Sequence, residues 1–157
     1  MKIVLLVVGK TNEKYLLEGI SEYQNRLKFY IPFQLDVIPE LKNTKNLSFQ
    51  LQKEKSSDLI LQSLQESDEV ILLDEHGKEY TSVNFARFME QKMSASPKRL
   101  VFVIGGPYGF SEKLYERANG KLSVSLMTFS HQMIRLIFIE QLYRAMTIIK
   151  GEPYHHE

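Results

Sequence analysis

No cysteine occurs anywhere in the 157 residues. That removes disulfides, thiolate zinc sites and cysteine nucleophiles together, and it is consistent with a reducing, cytoplasmic setting. Long hydrophobic runs are missing too. No apolar stretch reaches the ~20 residues of a membrane span. The opening run Ile3–Val8 is too short for the core of a secretion signal and leads into no small-x-small cleavage pattern. Nor is either sign of charge in excess, since 20 Lys and Arg against 19 Asp and Glu leave a net charge of +1. The chain is therefore no polycation, and any nucleic-acid contact has to come from a local basic face. The remaining composition, 43% apolar and 25% charged, suits one domain over 1–157 that buries its own core without a staple.

What is present reads as alternation. Short β-branched runs at 2–8, 33–38, 69–73, 100–104 and, weakly, 121–125 are separated by helical spacing over Glu13–Leu27, Leu51–Leu64 and Val83–Met93. That order is the signature of an α/β fold with a mostly parallel sheet covered on both faces. The stretch 39–48 reads as a surface loop. A last helix starts with Ser130 as its N-cap and runs to about Lys150, with Gly151 at the left-handed cap and Pro153 beyond it. Its apolar residues, Ile139 and Leu142 among them, cover more than one face and require a second buried surface. A central position in the monomer and a dimer interface both supply one.

The motifs that carry chemistry are few. "VVGKT" (7–11) ends like a phosphate-binding loop but has Val4 where the first glycine belongs, so it reads as a strand-to-helix turn. "IGGPYG" (104–109) has Ile104 at the first glycine of a dinucleotide fingerprint and fails it. Its glycines nevertheless fall at the carboxyl end of a strand, where open α/β sheets bind ligands. His76, His131, His155 and His156 include no i, i+4 pair with a carboxylate nearby, so no metal site is expected. The tail "EPYHHE" has few residues able to anchor it to a core, yet its aromatic and imidazoles suit stacking on a base.

"MKIVLLVVGK", "EYQNRL", "VFVIGGPYG", "LSVSLMTFSHQMIR" and "EQLYRAMTIIKGEPYH" together resemble the RlmH family of SPOUT-class RNA methyltransferases. The likeness runs the whole length and is densest from residue 100 onward. It implies an α/β, SPOUT-type mostly parallel sheet flanked by helices, with a C-terminal trefoil knot that general topology rules would have rejected. It also implies a cytoplasmic homodimer that takes its methyl from S-adenosyl-L-methionine. The implied target is N3 of pseudouridine 1915 in 23S rRNA within the ribosome. By motif, the cofactor site takes in Leu73, Gly105, Val124, Ser125, Leu126, Met127, Thr128 and Phe129, with Gly105 in the wall against which the cofactor lies. His155 is the residue expected to contact the base, Tyr154 to stack on it, and Arg135 or Arg144 to meet a phosphate or anion. No residue stands out as the general base. The resemblance further implies that one protomer's tail serves its partner's pocket. A SPOUT methyltransferase acting on tRNA and a non-catalytic ribosome-binding module are the alternatives, and near-neutral charge favours a folded ribosome over free RNA.

The chain departs from the family's pattern at four places. Ser130 stands where proline is frequent, which loosens the turn into the last helix. Pro107-Tyr108 fills a variable pair inside the glycine turn, with the tyrosine placed to cover part of the pocket. Ser56-Ser57 replaces a common Glu-Gly pair. His156 replaces a usual arginine or lysine and removes a fixed cation.

Overall fold

The computed structural model describes residues 1–156. Five strands form one sheet: β1 (Lys2–Val8), β2 (Phe33–Ile38), β3 (Glu69–Glu79), β4 (Arg99–Ile104) and β5 (Gly120–Ser123). Their order is β2-β1-β4-β3-β5, and every neighbouring pair is parallel. All five carboxyl ends therefore open on the same side. Alternation along a strand divides the core. Ile3, Leu5 and Val7 join one apolar cluster with Phe102 and Phe138, whereas Val4, Leu6 and Val8 join another with Ile60 and Leu114. Burial on both sides explains why the strands read as continuous apolar runs.

Two helical layers supply that burial. Helices α1 (Lys14–Leu27), α3 (Ser82–Ala95) and α5 (Met133–Ile149) cover one face, and α2 (Phe49–Ser63) and α4 (Glu112–Arg117) cover the other. Hydroxyls of Ser48, Thr81 and Ser111 accept from backbone amides to start α2, α3 and α4. Helix α4 has too few residues to show a period, and periodicity does not reveal it. Ser57 has a use here, because its buried hydroxyl accepts from the Ser111 amide at 2.9 Å and ties α2 to the start of α4.

Part of the two-faced burial of α5 is accounted for inside one chain, while Leu136, Ile137 and Ile148 stay only half-buried. The helix lies on the sheet between α1 and α3, so Ile139 and Leu142 are fully buried in the monomer. Those two residues belong to the core, not to a second, intermolecular surface. The helix starts later than expected, at Met133 with Gln132 as its cap residue, although Ser130 Oγ still accepts from the Met133 amide at 3.1 Å. At the far end Gly151 has φ +70°, with the Glu152 amide bonded back to the Thr147 carbonyl.

Strand β3 is longer than its apolar run. It pairs with Leu122 of β5 at Leu73 and again at Lys78, so Asp74, Glu75, His76 and Gly77 loop out between the two pairings. Gly77 is required there, because a Cβ would lie 2.6 Å from the Leu122 backbone nitrogen.

Candidate functional site

The strand ends enclose a cavity of about 590 Å³, within the range of small-molecule sites. Three segments wall it: the bulge after Leu73, the turn 105–110 after β4, and the loop 123–129 after β5, closed from below by His131 and Ile134. Leu73, Gly105, Val124, Ser125, Met127, Thr128 and Phe129 line it. Leu126 does not, and its side chain is 75% exposed. The loop 125–129 contributes to no backbone–backbone hydrogen bond among the described residues. Its order comes from Ser125 instead, whose Oγ accepts from Met127 and whose carbonyl accepts from Ser123 Oγ. Its remaining amides and carbonyls are left for a ligand or water.

Gly105 lines the cavity as expected of a wall residue, and its own neighbours give it a further reason to be bare. A Cβ there would come within 2.7 Å of the Phe110 ring, so the glycine accommodates an aromatic of its own chain. Gly106, in contrast, also lines the cavity and would place a Cβ in open space. Beside it Tyr108 stacks on Phe49 of α2 with ring centroids 4.5 Å apart and planes 18° apart.

The bulge brings chemistry that neither periodicity nor the family motifs singled out. Asp74 accepts from the His76 amide and from the Tyr115 hydroxyl of α4. Burial first, and that bond second, push the Tyr115 hydroxyl well above the ordinary phenol range. Asp74, Glu75 and His76 thus stand on the cavity wall, with Asp74 fixed by a helix across it. A polar run with glycine directly after an apolar strand, "DEHG", is the signal that marks such a bulge.

Helix α5 carries two arginines of opposite character. Arg135 is fully buried, and its guanidinium donates to the carbonyls of Val8 (2.8 Å), Gly9 (2.8 Å) and His131 (3.0 Å) and to Thr11 Oγ1 (2.9 Å). Desolvation lowers its pKa, countered by Glu40. It braces the end of β1 against the start of α5 and has no surface to offer a phosphate. That corrects its expected role. Arg144 is partly exposed and bonded to Glu140 at 2.6 Å, which raises its pKa.

The tail is anchored, contrary to expectation. Tyr154 donates to Glu140 (2.9 Å), shares a bond with the Tyr23 hydroxyl (3.3 Å), and packs edge-on against Tyr143 and under the Arg144 guanidinium. Burial, then these bonds, raise its pKa. Glu152 accepts from the Tyr30 hydroxyl at 2.7 Å. His155 Nδ1 lies 3.0 Å from Arg144. A guanidinium only donates, so Nδ1 accepts and the ring proton sits on Nε2. This cluster is near the end of α5 opposite Ile134, about 15 Å along the axis at the usual helical rise. Tyr154, His155 and Arg144 therefore converge with one another but do not line their own chain's cavity.

No group of three or more potential metal ligands occurs among the described residues, and no helix there is long and apolar enough to cross a membrane. The family model described as a predicted SPOUT methyltransferase matches residues 1–155. Proteins named ribosomal RNA large subunit methyltransferase H are similar over all 157 residues and over 100% of both chains. They include one from Parabacteroides distasonis at 63% identity, one from Bacteroides thetaiotaomicron at 62% and one from Flavobacterium johnsoniae at 57%. With five parallel strands, a cavity at their carboxyl ends and full-length matches of this kind, the chain belongs to the SPOUT methyltransferase family.

Proposed function

We propose that this protein methylates N3 of a pseudouridine in the 23S rRNA of the ribosome, using S-adenosyl-L-methionine. It works as a cytoplasmic homodimer with its C-terminal segment threaded as a trefoil knot. The observation that carries the reading is the cavity among Leu73, the 105–110 turn and the 123–129 loop, in a chain whose full-length relatives are named for large-subunit rRNA methylation. The residues present fit the cofactor. Unbonded amides and carbonyls of 125–129 suit an adenine edge, Gly106 leaves room for a close approach, and Asp74 and Glu75 suit a neighbouring cation.

When bound, the cofactor supplies a methyl group already activated by a positive sulfur. What remains for the protein is placement and charge. The proton on N3 must pass to water before the lone pair can attack, and the resulting negative charge spreads onto the two ring oxygens flanking N3. Donors aimed at those oxygens favour the ionised ring. The Arg144–His155 pair is the cationic and imidazole cluster that would serve there, and Tyr154, held by Glu140 and Tyr23, keeps it in place. Because these groups lie away from their own cavity, a complete site uses the tail of one protomer and the pocket of its partner.

The test is incubation with methyl-labelled S-adenosyl-L-methionine and, separately, ribosomes, isolated subunits and tRNA, followed by mapping of the labelled base. Label at a 23S pseudouridine N3 is expected. Label in tRNA alone would replace the substrate, and label nowhere with tight ribosome binding would make the protein a non-catalytic binding module.

A further inference from the structure

The stacked pair Phe49–Tyr108 has no part in the site as described, yet it stands at the cavity's mouth. Tyr108 lines the cavity and Phe49 lies behind it, 4.5 Å away and nearly parallel. Phe49 is nevertheless 68% exposed. One of its faces is covered by Tyr108, so exposure on that scale leaves the other face open to solvent. Lys53 is one turn further along α2, on the same helix face, and also lines the cavity. It enters no ion pair among the described residues. An open aromatic face beside an uncommitted cation, on the rim of a methyl-transfer cavity, has the two elements that grip single-stranded nucleic acid: a surface for a base and a charge for its phosphate.

We infer that Phe49, backed by Tyr108, is a stacking platform for an unpaired base of the substrate RNA next to the target nucleotide, with Lys53 meeting the adjoining phosphate. This rests on the proposed rRNA-methylating function. Tyr108 backs Phe49 with ring planes 18° apart, and the base extends the stack outward instead of entering the cavity. Every base offers a π face, so the platform orients the RNA with little dependence on sequence.

Two measurements test it. The first is ribosome methylation by wild type, Phe49→Leu and Phe49→Tyr, with cofactor affinity measured by calorimetry on each. Phe49→Leu keeps the apolar bulk and loses the ring, so KM for ribosomes should rise about tenfold, as the loss of one stacked base implies. Cofactor affinity should stay within twofold, and Phe49→Tyr should behave as wild type. An unchanged KM overturns the platform. So does a cofactor affinity that falls with KM, because the pair would then merely latch the 105–110 turn. The second measurement uses the absence of tryptophan from the chain. Phe49→Trp creates the chain's one tryptophan, which can be excited apart from its eight tyrosines, and a short unpaired RNA of 23S sequence should quench it by stacking. A raised KM without quenching would point to a ribosomal protein as the partner and overturn the inference. Wild type that leaves ribosomes unmethylated would sink the proposed function instead, and quenching would still decide the platform.

Discussion

The two ends of α5 make opposite use of the same side chain. At the start, Arg135 is sealed inside and spends its guanidinium on three backbone carbonyls and a threonine hydroxyl. Near the finish, Arg144 lies partly exposed, paired with Glu140 and arranged around Tyr154 and His155. The first end joins the cavity wall to β1, and the second presents a polar cluster away from that cavity. Residue type told us only that each arginine needed acceptors. Where the acceptors lie decides whether it holds the fold or faces a substrate.

The comparison breaks most visibly at Arg135. Arg135→Ala should destabilise the protein by about 3 kcal/mol or more, because buried carbonyls of β1 would lose a charged donor. Arg135→Lys should recover little, since one ammonium cannot span acceptors arranged around a planar fork. Urea denaturation with circular dichroism measures both. Near-wild-type stability together with lost methyl transfer would return Arg135 to a substrate role.

The opposite end should give a smaller loss of stability and a larger loss of function. Removing the chain from Glu152 onward deletes the partners of Tyr30, Glu140 and Tyr23, which should cost about 1–3 kcal/mol. Cofactor binding should survive, and methyl transfer should not. Mixing tail-less chains with Gly106→Leu chains, first shown by calorimetry to have lost cofactor binding, sharpens the point. If tails serve the partner's pocket, one site of the mixed dimer has an intact pocket and an intact tail, and activity returns. If each tail serves its own chain, no site is whole and none returns.

The layered sheet and its parallel strands were legible because burial on both faces writes uninterrupted β-branched runs. The loop after β5 was placed by motif resemblance, and it does line the cavity except at Leu126. The rest was hidden for physical reasons. Burial of Arg135 depends on two carbonyls and a hydroxyl that lie 124 to 127 residues away in sequence. Gly105 answers to Phe110, a neighbour in space that no motif identifies. The tail looked unanchored because its partners, Tyr23 on α1, Tyr30 in the turn after it and Glu140 on α5, are brought together only by the fold.

A third, more modest effect should come from the cavity wall. Tyr115→Phe removes the hydroxyl that holds Asp74, a loss of about 1 kcal/mol at a partly exposed bond. The looped-out 74–77 segment then loses its tie to α4. Cofactor affinity should fall several-fold in calorimetry while ribosome binding is unchanged. An unaltered cofactor affinity would show that the wall needs no such tie.

The smallest expected effect concerns the bond from Tyr30 to Glu152. The hydrogen bond to Glu152, followed by burial, pushes the Tyr30 hydroxyl up to about 12 from the ordinary 10. Only the protonated phenol donates, and an ionised one would face a carboxylate. The raised folded pKa means that the stabilisation is fully present below about pH 10 and is lost as pH climbs through 12. Tyr30→Phe lacks it at every pH. The difference in Tm between wild type and Tyr30→Phe should therefore stay constant up to about pH 10 and close between there and pH 12. A difference that shows no closing through pH 12 would mean the phenol is unperturbed and the contact absent. Glu152→Gln separates the causes further: the acceptor oxygen remains but the charge does not, so the closing should move to lower pH without disappearing.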